Sequence, residues 1–388
     1  MAEVLNFEHN GITINATESP EAMGGLGDNV IGLVGTAPNA SVDLPRNSAI
    51  RINNFAGQAL LDPTGAEAGS LFHAVYQILK VVKVPIYVVI VPEGLTPADT
   101  INNVMGGIDP TSGQKTGLMA LSDVPEDLTI IGAPGFTGTK ALAGEFAAFG
   151  KRVKARVVLD GKDVPVAGQV TYSGELGGAE LGFDRCLVIH QMPAVYSKAA
   201  KGNVFLPPST LAIGALAAVK QWESPGNQVT FAEDVSRTVE YNILDKSTEG
   251  DLLNRYGVCY YARTILGGFS LIGNRSITGK FISYVGLEDA ISRKLVKAGQ
   301  KAMAKNLTKS FMDQEVKRID DWLQTLVADE TIPGGKVYLH PDLNSVEKYK
   351  NGTWFIVIEY GRYAPNEHMV YQLNASDAII EQFLEDVL

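Results

Sequence analysis

The sequence predicts a mixed α/β fold, and three observations predict it. Two wholly apolar runs, "NVIGLVGTAP" (29–38) and "VPIYVVIV" (84–91), bracket a stretch with helical periodicity. Strands that are apolar on both faces belong in a sheet covered on both sides. The same strand, helix, strand order returns downstream of residue 127.

The elements follow in order. Residues 1–26 read as loosely structured. "NFEHNGITINAT" alternates weakly, as an extended arm does, and "EAMGGLGDN" supplies a hinge or turn. In "AEAGSLFHAVYQILKVV", Leu71, Phe72, Val75, Ile78, Leu79 and Val82 form one apolar helical stripe. "DLTIIGAPG" (127–135) is a strand entering a turn. "KALAGEFAAFGKRV" (140–153) is a helix, and "ARVVLD" (155–160) and "DRCLVIHQM" (184–192) are strands. The glycine-rich stretch between them, "DGKDVPVAGQVTYSGELGG", reads as loops or a small hairpin. "PPSTLAIGALAAVKQW" (207–222) opens with proline, as helices often do. Helices are expected over roughly 286–308 and 310–328, then a strand pair at 336–340 and 353–364. The end of the chain reads as a short strand and a helix capped by Ser376 or Asp377.

Composition narrows the classes. Hydrophobic residues make up 45% and charged residues 20%, values of a folded domain with several cores. No run of 18 uncharged apolar residues occurs, so no membrane insertion is expected. The first twenty residues lack a basic region and an apolar core, which argues against a secretory signal. Two cysteines, Cys186 and Cys259, suit a reducing compartment. The net charge of −10 disfavours a nucleic-acid partner.

Motifs for chemistry fail on inspection. In "GGFSLIGNRS" (267–276), Gly268 and Gly273 have the spacing of a phosphate loop. Asn274 stands where its lysine belongs, and "SITGKFISYVG" reads onward as strand, not helix. "GAPGFTGTK" fails too, because Thr139 separates Gly138 from Lys140. No G-x-S-x-G, H-E-x-x-H or C-x-x-C occurs, and "DGKD" (160–163) lacks the later ligands of a calcium loop. The five histidines are dispersed; His73 reads as a helix-flank residue and His190 as a packed one. No catalytic, cofactor or metal residue is assigned.

Charge is unevenly spread. Residues 291–309 hold Arg293, Lys294, Lys297, Lys301, Lys305 and Lys309 with no acid. Arg293, Lys297, Lys301 and Lys305 step by four, a basic stripe on one helix face. Such a stripe suits an acidic partner surface; the plainer reading is a solvated face. The following helix carries an inward stripe of Val316, Ile319, Trp322, Leu323 and Leu326 or Val327. Terminal strands without a local partner tend to complete another sheet.

Three blocks in order give a resemblance. "LTIIGAPGF" is one. "NVFLPPSTLAIGALAAVKQWESPGN" is another, through Pro207, Pro208, Ser209, Gly214, Trp222, Pro225 and Asn227. "GDLLNRYGVCYYARTILGGFSLIGNRSI" is the third, through Leu253, Asn254, Gly257, Val258, Gly268, Phe269, Gly273, Asn274 and Arg275. Over about 121–365 the chain resembles the contractile tail sheath proteins of myophages and R-type bacteriocins, departing at Ile272 and Ser276.

The resemblance implies a multi-domain sheath fold with extended arms at both ends. Its expected divisions are an N-terminal arm (1–20), the first part of the core (21–95), an outer variable domain (96–190), a conserved core (191–365) and a C-terminal arm (366–388). It implies a structural subunit of a virion tail, assembled in the host cytoplasm and catalysing nothing. Copies would form stacked hexameric rings on an inner tail tube, with baseplate and tail terminator proteins at the ends. Contraction would drive the tube through a cell envelope. Arg293, Lys294, Lys297, Lys301 and Lys305 would face the tube. Ile12, Ile14, Val370, Tyr371 and Leu373 would lie in strands added to neighbours. Gly268, Phe269, Gly273, Asn274 and Arg275 would form a structural corner, with Arg275 tied to backbone or carboxylate acceptors. The alternatives are the sheath of a secretion-type injector and an α/β nucleotide-binding enzyme.

Overall fold

The structure is a computed structural model that describes residues 23–387. The expected N-terminal arm, with Ile12 and Ile14, lies outside the described residues.

The first half builds strands β1 (Ile31–Thr36), β2 (Ala49–Ile52), β3 (Ile86–Val91), β4 (Gly107–Ile108), β5 (Lys115–Thr116), β6 (Ile130–Gly132), β7 (Arg156–Asp160) and β8 (Cys186–Ile189). Between them lie helices α1 (Phe55–Ala59), α2 (Ser70–Val81), α3 (Pro97–Met105), α4 (Lys140–Val153) and α5 (Val166–Glu175). The second half adds β9 (Pro193–Ser197), β10 (Gly202–Phe205), β11 (Val229–Thr230), β12 (Asp234–Val235), β13 (Val258–Arg263), β14 (Phe269–Ile272), β15 (Gly335–Leu339) and β16 (Ile356–Tyr360). Its helices are α6 (Ser209–Ala218), α7 (Glu249–Arg255), α8 (Ile282–Ala302), α9 (Lys309–Ala328), α10 (Val346–Lys350) and α11 (Asp377–Val387).

Nine strands form one sheet in the order β11-β14-β13-β8-β7-β6-β1-β3-β2. Its centre, from β13 to β3, is parallel; β2 and the β14–β11 edge run antiparallel. The apolar strands are explained by cover on both faces. On one side α2 and α6 pack with Ile282 and Val285 of α8 against Leu33, Val88, Val158 and Leu187. On the other, α4 and the turn at 117–123 pack against Val34, Val89, Val157 and Val188. Helix α6 is buried almost all round, because it lies between the sheet and α2. Sequence divisions at 95/96 and 190/191 both fall among strands of this single sheet.

A smaller core follows. Helix α9 turns Ile319, Trp322, Leu323 and Leu326 inward against Leu287 and Ile291 of α8 and the β15–β16 ladder. The α9 stripe read from the sequence is the one that is buried.

Three readings are corrected. The stretch expected as loops or a hairpin contains α5. Its buried stripe is Val166, Gln169, Tyr172 and Ser173, half polar, so apolar periodicity could not reveal it. "SITGKFISYVG" is a turn and the start of α8, not a strand. Ile282, Ser283, Val285, Gly286 and Leu287 are all buried, so polar and small residues interrupt the apolar stripe that would announce a helix. The strand expected after His368 is absent: residues 361–376 have no ladder partner among the described residues.

Two buried imidazoles make stability depend on pH. Burial pushes His190 below its ordinary value of 6.5, and neither ring nitrogen finds a partner among the described residues. Burial also pushes His73 down, with Glu67 at 3.5 Å opposing it. The unfolded chain takes up protons below its own pKa that the folded chain resists. This stability is therefore complete above about pH 6.5 and is lost as pH falls below it. The thermal midpoint should drop between about pH 6.5 and 5, less steeply for His190→Gln. An unchanged slope in that variant would contradict the assignment.

Candidate functional site

The corner at 267–281 is built for backbone geometry. Gly267 and Gly268 turn the β13–β14 hairpin with φ of 95° and 77°. Gly273 has φ 105°, and a Cβ there would lie 2.9 Å from Cys259 Sγ. Only glycine fits both conditions comfortably. Asn274 donates from Nδ2 to Ser224 Oγ at 3.1 Å, and its carbonyl accepts from Ile282 N at 2.9 Å, fixing the start of α8. Phe269 is buried beneath the Arg263 guanidinium, and Ile272 packs with Leu253, Val258 and Tyr260. The amides of Ser276 and Gly279 bond to backbone carbonyls within the turn, so they do not form a phosphate cradle.

Arg275 connects this corner to the end of the chain. Its guanidinium lies 3.8 Å from the Phe281 ring centroid, and Nη1 donates to the Gly279 carbonyl at 2.8 Å. Nε and Nη2 form a fork on Glu367, with bonds of 3.1, 3.2 and 2.6 Å. Arg362 makes a second attachment, donating to Glu288 Oε1 at 2.6 Å with its guanidinium over Tyr284.

Beyond Glu367 the chain leaves the body. Val370, Tyr371 and Leu373 are 80%, 78% and 93% exposed. Helix α11 has Ile379, Ile380, Phe383, Leu384 and Val387 exposed on one arc, flanked by Asp377, Glu381, Glu385 and Asp386. Among the described residues nothing covers this apolar stripe.

The basic stripe divides. Arg293 turns inward and donates to the Lys154 carbonyl and to Gln221 Oε1; burial pushes its guanidinium below its ordinary range. Burial and the adjacent Lys297 push Lys294 down. Lys297 and Lys301 are exposed on α8, and Lys297 pairs with Asp127 at 2.6 Å. The helix ends at Ala302, shorter than the sequence suggested, so Lys305 lies in the exposed turn before α9.

Sequence reasoning missed the polar contacts joining distant segments. Asp160, the first residue of "DGKD", accepts from Gly135 N and Ser209 N, each at 2.9 Å, and from Thr137 Oγ1. It thereby joins the "GAPG" turn to the start of α6. Arg185 binds both oxygens of Asp289 inside the molecule. Nothing in the spacing of these residues announces their meeting. Cys186 and Cys259 are buried free thiols, raised by burial, Cys259 to about 12, so they stay protonated. Among the described residues no group of three or more His, Cys, Asp or Glu could hold a metal. No described helix is long and apolar enough to cross a membrane.

Fold and surface together define an α/β subunit whose last described residues expose an apolar surface. No protein-family model matches the chain. It is 23% identical over 398 aligned positions to a protein of Pseudomonas aeruginosa strain UCBPP-PA14 named as a prophage major tail sheath protein, covering 99% of each. It is 22% identical to the tail sheath protein of Burkholderia phage BcepMu, over 72% of this chain and 62% of that protein. Its fold matches the sheath complex of the extracellular contractile injection system PVC in the contracted state, with TM-score 0.69 at 15% identity over 96% of this chain and 98% of that one. It also matches the contracted helical sheath of the anti-feeding prophage, with TM-score 0.67 at 17% identity over 96% and 100%. The resemblance to tail sheath proteins is borne out, and the fold is that of a contractile sheath subunit.

The divided stripe gives a direct test. Arg293→Met should destabilise the isolated subunit by about 1–3 kcal/mol, because buried acceptors lose their donor. Lys305→Glu should stay within about 0.5 kcal/mol of wild type. Urea denaturation of monomers measures both; equal effects would contradict the inward placement of Arg293.

Proposed function

We propose that this protein is the structural subunit of a contractile tail sheath. Copies polymerise as stacked hexameric rings around an inner tube, and contraction drives that tube through a cell envelope. The observation that carries the reading is agreement at two levels along the whole chain: sequence similarity to tail sheath proteins and a fold shared with contracted sheaths. The role is structural, with copies of the same chain as the first partner. Similarity to a subunit in the baseplate structure of the anti-feeding prophage supports a place near a baseplate as well. The reading as an injector sheath outside a virion is favoured by one observation: the matching solved structures come from such systems.

The mechanism needs no nucleotide. Subunits assemble in an extended lattice and later adopt a contracted one, as rigid bodies repacking at interfaces. The C-terminal arm keeps neighbours connected during that movement. It has the means: an extended segment with unpaired backbone groups, and an apolar helix beyond it. Among the described residues the β15–β16 ladder has two strands, and its outer edges could take a strand from another copy. The residues expected as the N-terminal arm, including Ile12 and Ile14, play the same part at the other end. The exposed lysines of α8 and the turn after it hold the tube in the extended state. Their field is positive on a chain of net charge −10, and charge complementarity selects an acidic tube surface.

Negative-stain imaging of the purified protein tests the main reading. Long tubes should form without nucleotide; discrete particles that hydrolyse ATP would overturn it. Reversing Lys297, Lys301 and Lys305 to Glu should weaken assembly on tubes while leaving tube-free polymers intact. Unchanged co-assembly at low salt would remove the electrostatic role.

A further inference from the structure

The contact between Arg275 and Glu367 joins two features that the sheath reading leaves separate: the "GNR" corner and the C-terminal arm. We propose that Arg275 is the positioning residue of the arm, its fork on Glu367 fixing the point from which residues 368–387 depart toward a second copy of this chain. The proposal rests on the reading of that segment as an inter-subunit arm.

The corner prepares Arg275 for this role. The Phe281 ring covers one face of the guanidinium, and the Gly279 carbonyl takes Nη1. What remains free is the edge formed by Nε and Nη2, and that edge holds Glu367 through both carboxylate oxygens. A fork on a carboxylate fixes orientation as well as distance, which a lysine could not do. Upstream, Gly361 N bonds to the Gly334 carbonyl at 2.9 Å, and Arg362 is held by Glu288 and Tyr284. Attachments therefore recur from 361 to 367. After Glu367, the hydrogen bonds of residues 368–376 among the described residues are local ones, between Tyr371 and Met369, between Gln372 and Asn374, and from Ile379 N to the Ser376 carbonyl.

The consequence is geometric. Residues 368–376 span at most about 30 Å when extended, and α11 adds about 16 Å. A tether of fixed origin and short reach raises the effective concentration of the arm at one neighbouring site and excludes others. Released from Arg275, the arm gains several residues of slack, and its origin is no longer fixed. Arg275 and Glu367 are 37% and 36% exposed, so the pair adds little to the stability of the monomer. Its effect belongs to assembly.

A double-mutant cycle tests this with the full-length protein. Glu367→Ala should leave the thermal midpoint of the monomer unchanged. It should raise the concentration for half-maximal polymerisation roughly fivefold or more. Arg275→Leu should do the same to assembly, and the double variant should be no worse than either single one. Arg275→Lys should fall between wild type and Arg275→Leu. Wild-type assembly by Glu367→Ala, or additive effects in the double variant, would overturn the proposal. Deleting residues 368–388 separates the two levels. If the deletion polymerises normally, the arm reading fails and this proposal with it. If the deletion fails to polymerise while Glu367→Ala is silent, only the positioning role falls.

Discussion

Asp289 of α8 meets Arg185 inside the molecule, and the placement of the C-terminal half depends on that contact. Arg185 Nη1 donates to both carboxylate oxygens, at 3.0 and 2.7 Å. Burial pushes the Asp289 carboxyl upward and Arg185 opposes the rise. Removing one member of such a pair costs about 3–5 kcal/mol, because the other charge is left buried alone. Around it the approach is tight. A Cβ at Gly286 would lie 1.8 Å from the Gln221 carbonyl, so the helix can settle here only with glycine at that position. Arg156, fully buried on β7, donates to Asn29 Oδ1 at 2.7 Å and to the Gln221 carbonyl at 3.3 Å. Burial lowers its pKa to about 9, still above neutrality, so it remains a cation. The junction gathers arginines against few carboxylates, and backbone carbonyls and amide side chains supply the other acceptors.

This junction makes α8 a helix with two halves. Within residues 282–291 all but Tyr284 and Glu288 are buried, and the later turns emerge with Val296 and Lys297 exposed. The helix is held to the body through Asp289, which Arg185 binds, and through Arg293, which donates to the Lys154 carbonyl and Gln221. The first half carries Glu288, which holds Lys280 and Arg362 at the root of the arm. Lys297, Lys301 and the attachment point of Arg362 are thus set on one helix.

The sequence made the sheet legible because a covered parallel sheet writes itself as apolar runs. Helix α4 was readable to its ends, since Leu142, Phe146 and Phe149 repeat at helical spacing between strand signals. Legibility failed where burial was complete or polar. Helix α8 begins in a segment that buries Ser283 and Gly286 beside its apolar residues, and α5 buries Gln169 and Ser173 with hydrogen bonds in place of apolar contact. The corner at 268–275 was recognisable from its glycines and Asn274–Arg275. Its acceptor, Glu367, lies 92 positions away and has no local signature. The stripe of bases was visible, but which of its members turns inward depends on Gln221 and the Lys154 carbonyl, which only the fold brings near Arg293.

The missing C-terminal strand has a different cause. A strand is a statement about a partner, and the alternating residues of "HMVYQL" have none among the described residues. Left exposed, Val370, Tyr371, Leu373 and the face of α11 would be a liability for a monomer. The chain keeps them apolar, and Asp377, Glu381, Glu385 and Asp386 flank the apolar arc of α11 with charge. A polymer that covers such a segment on every copy gains the same increment many times over. A modest difference in interface quality between two lattices then becomes large when summed along the assembly.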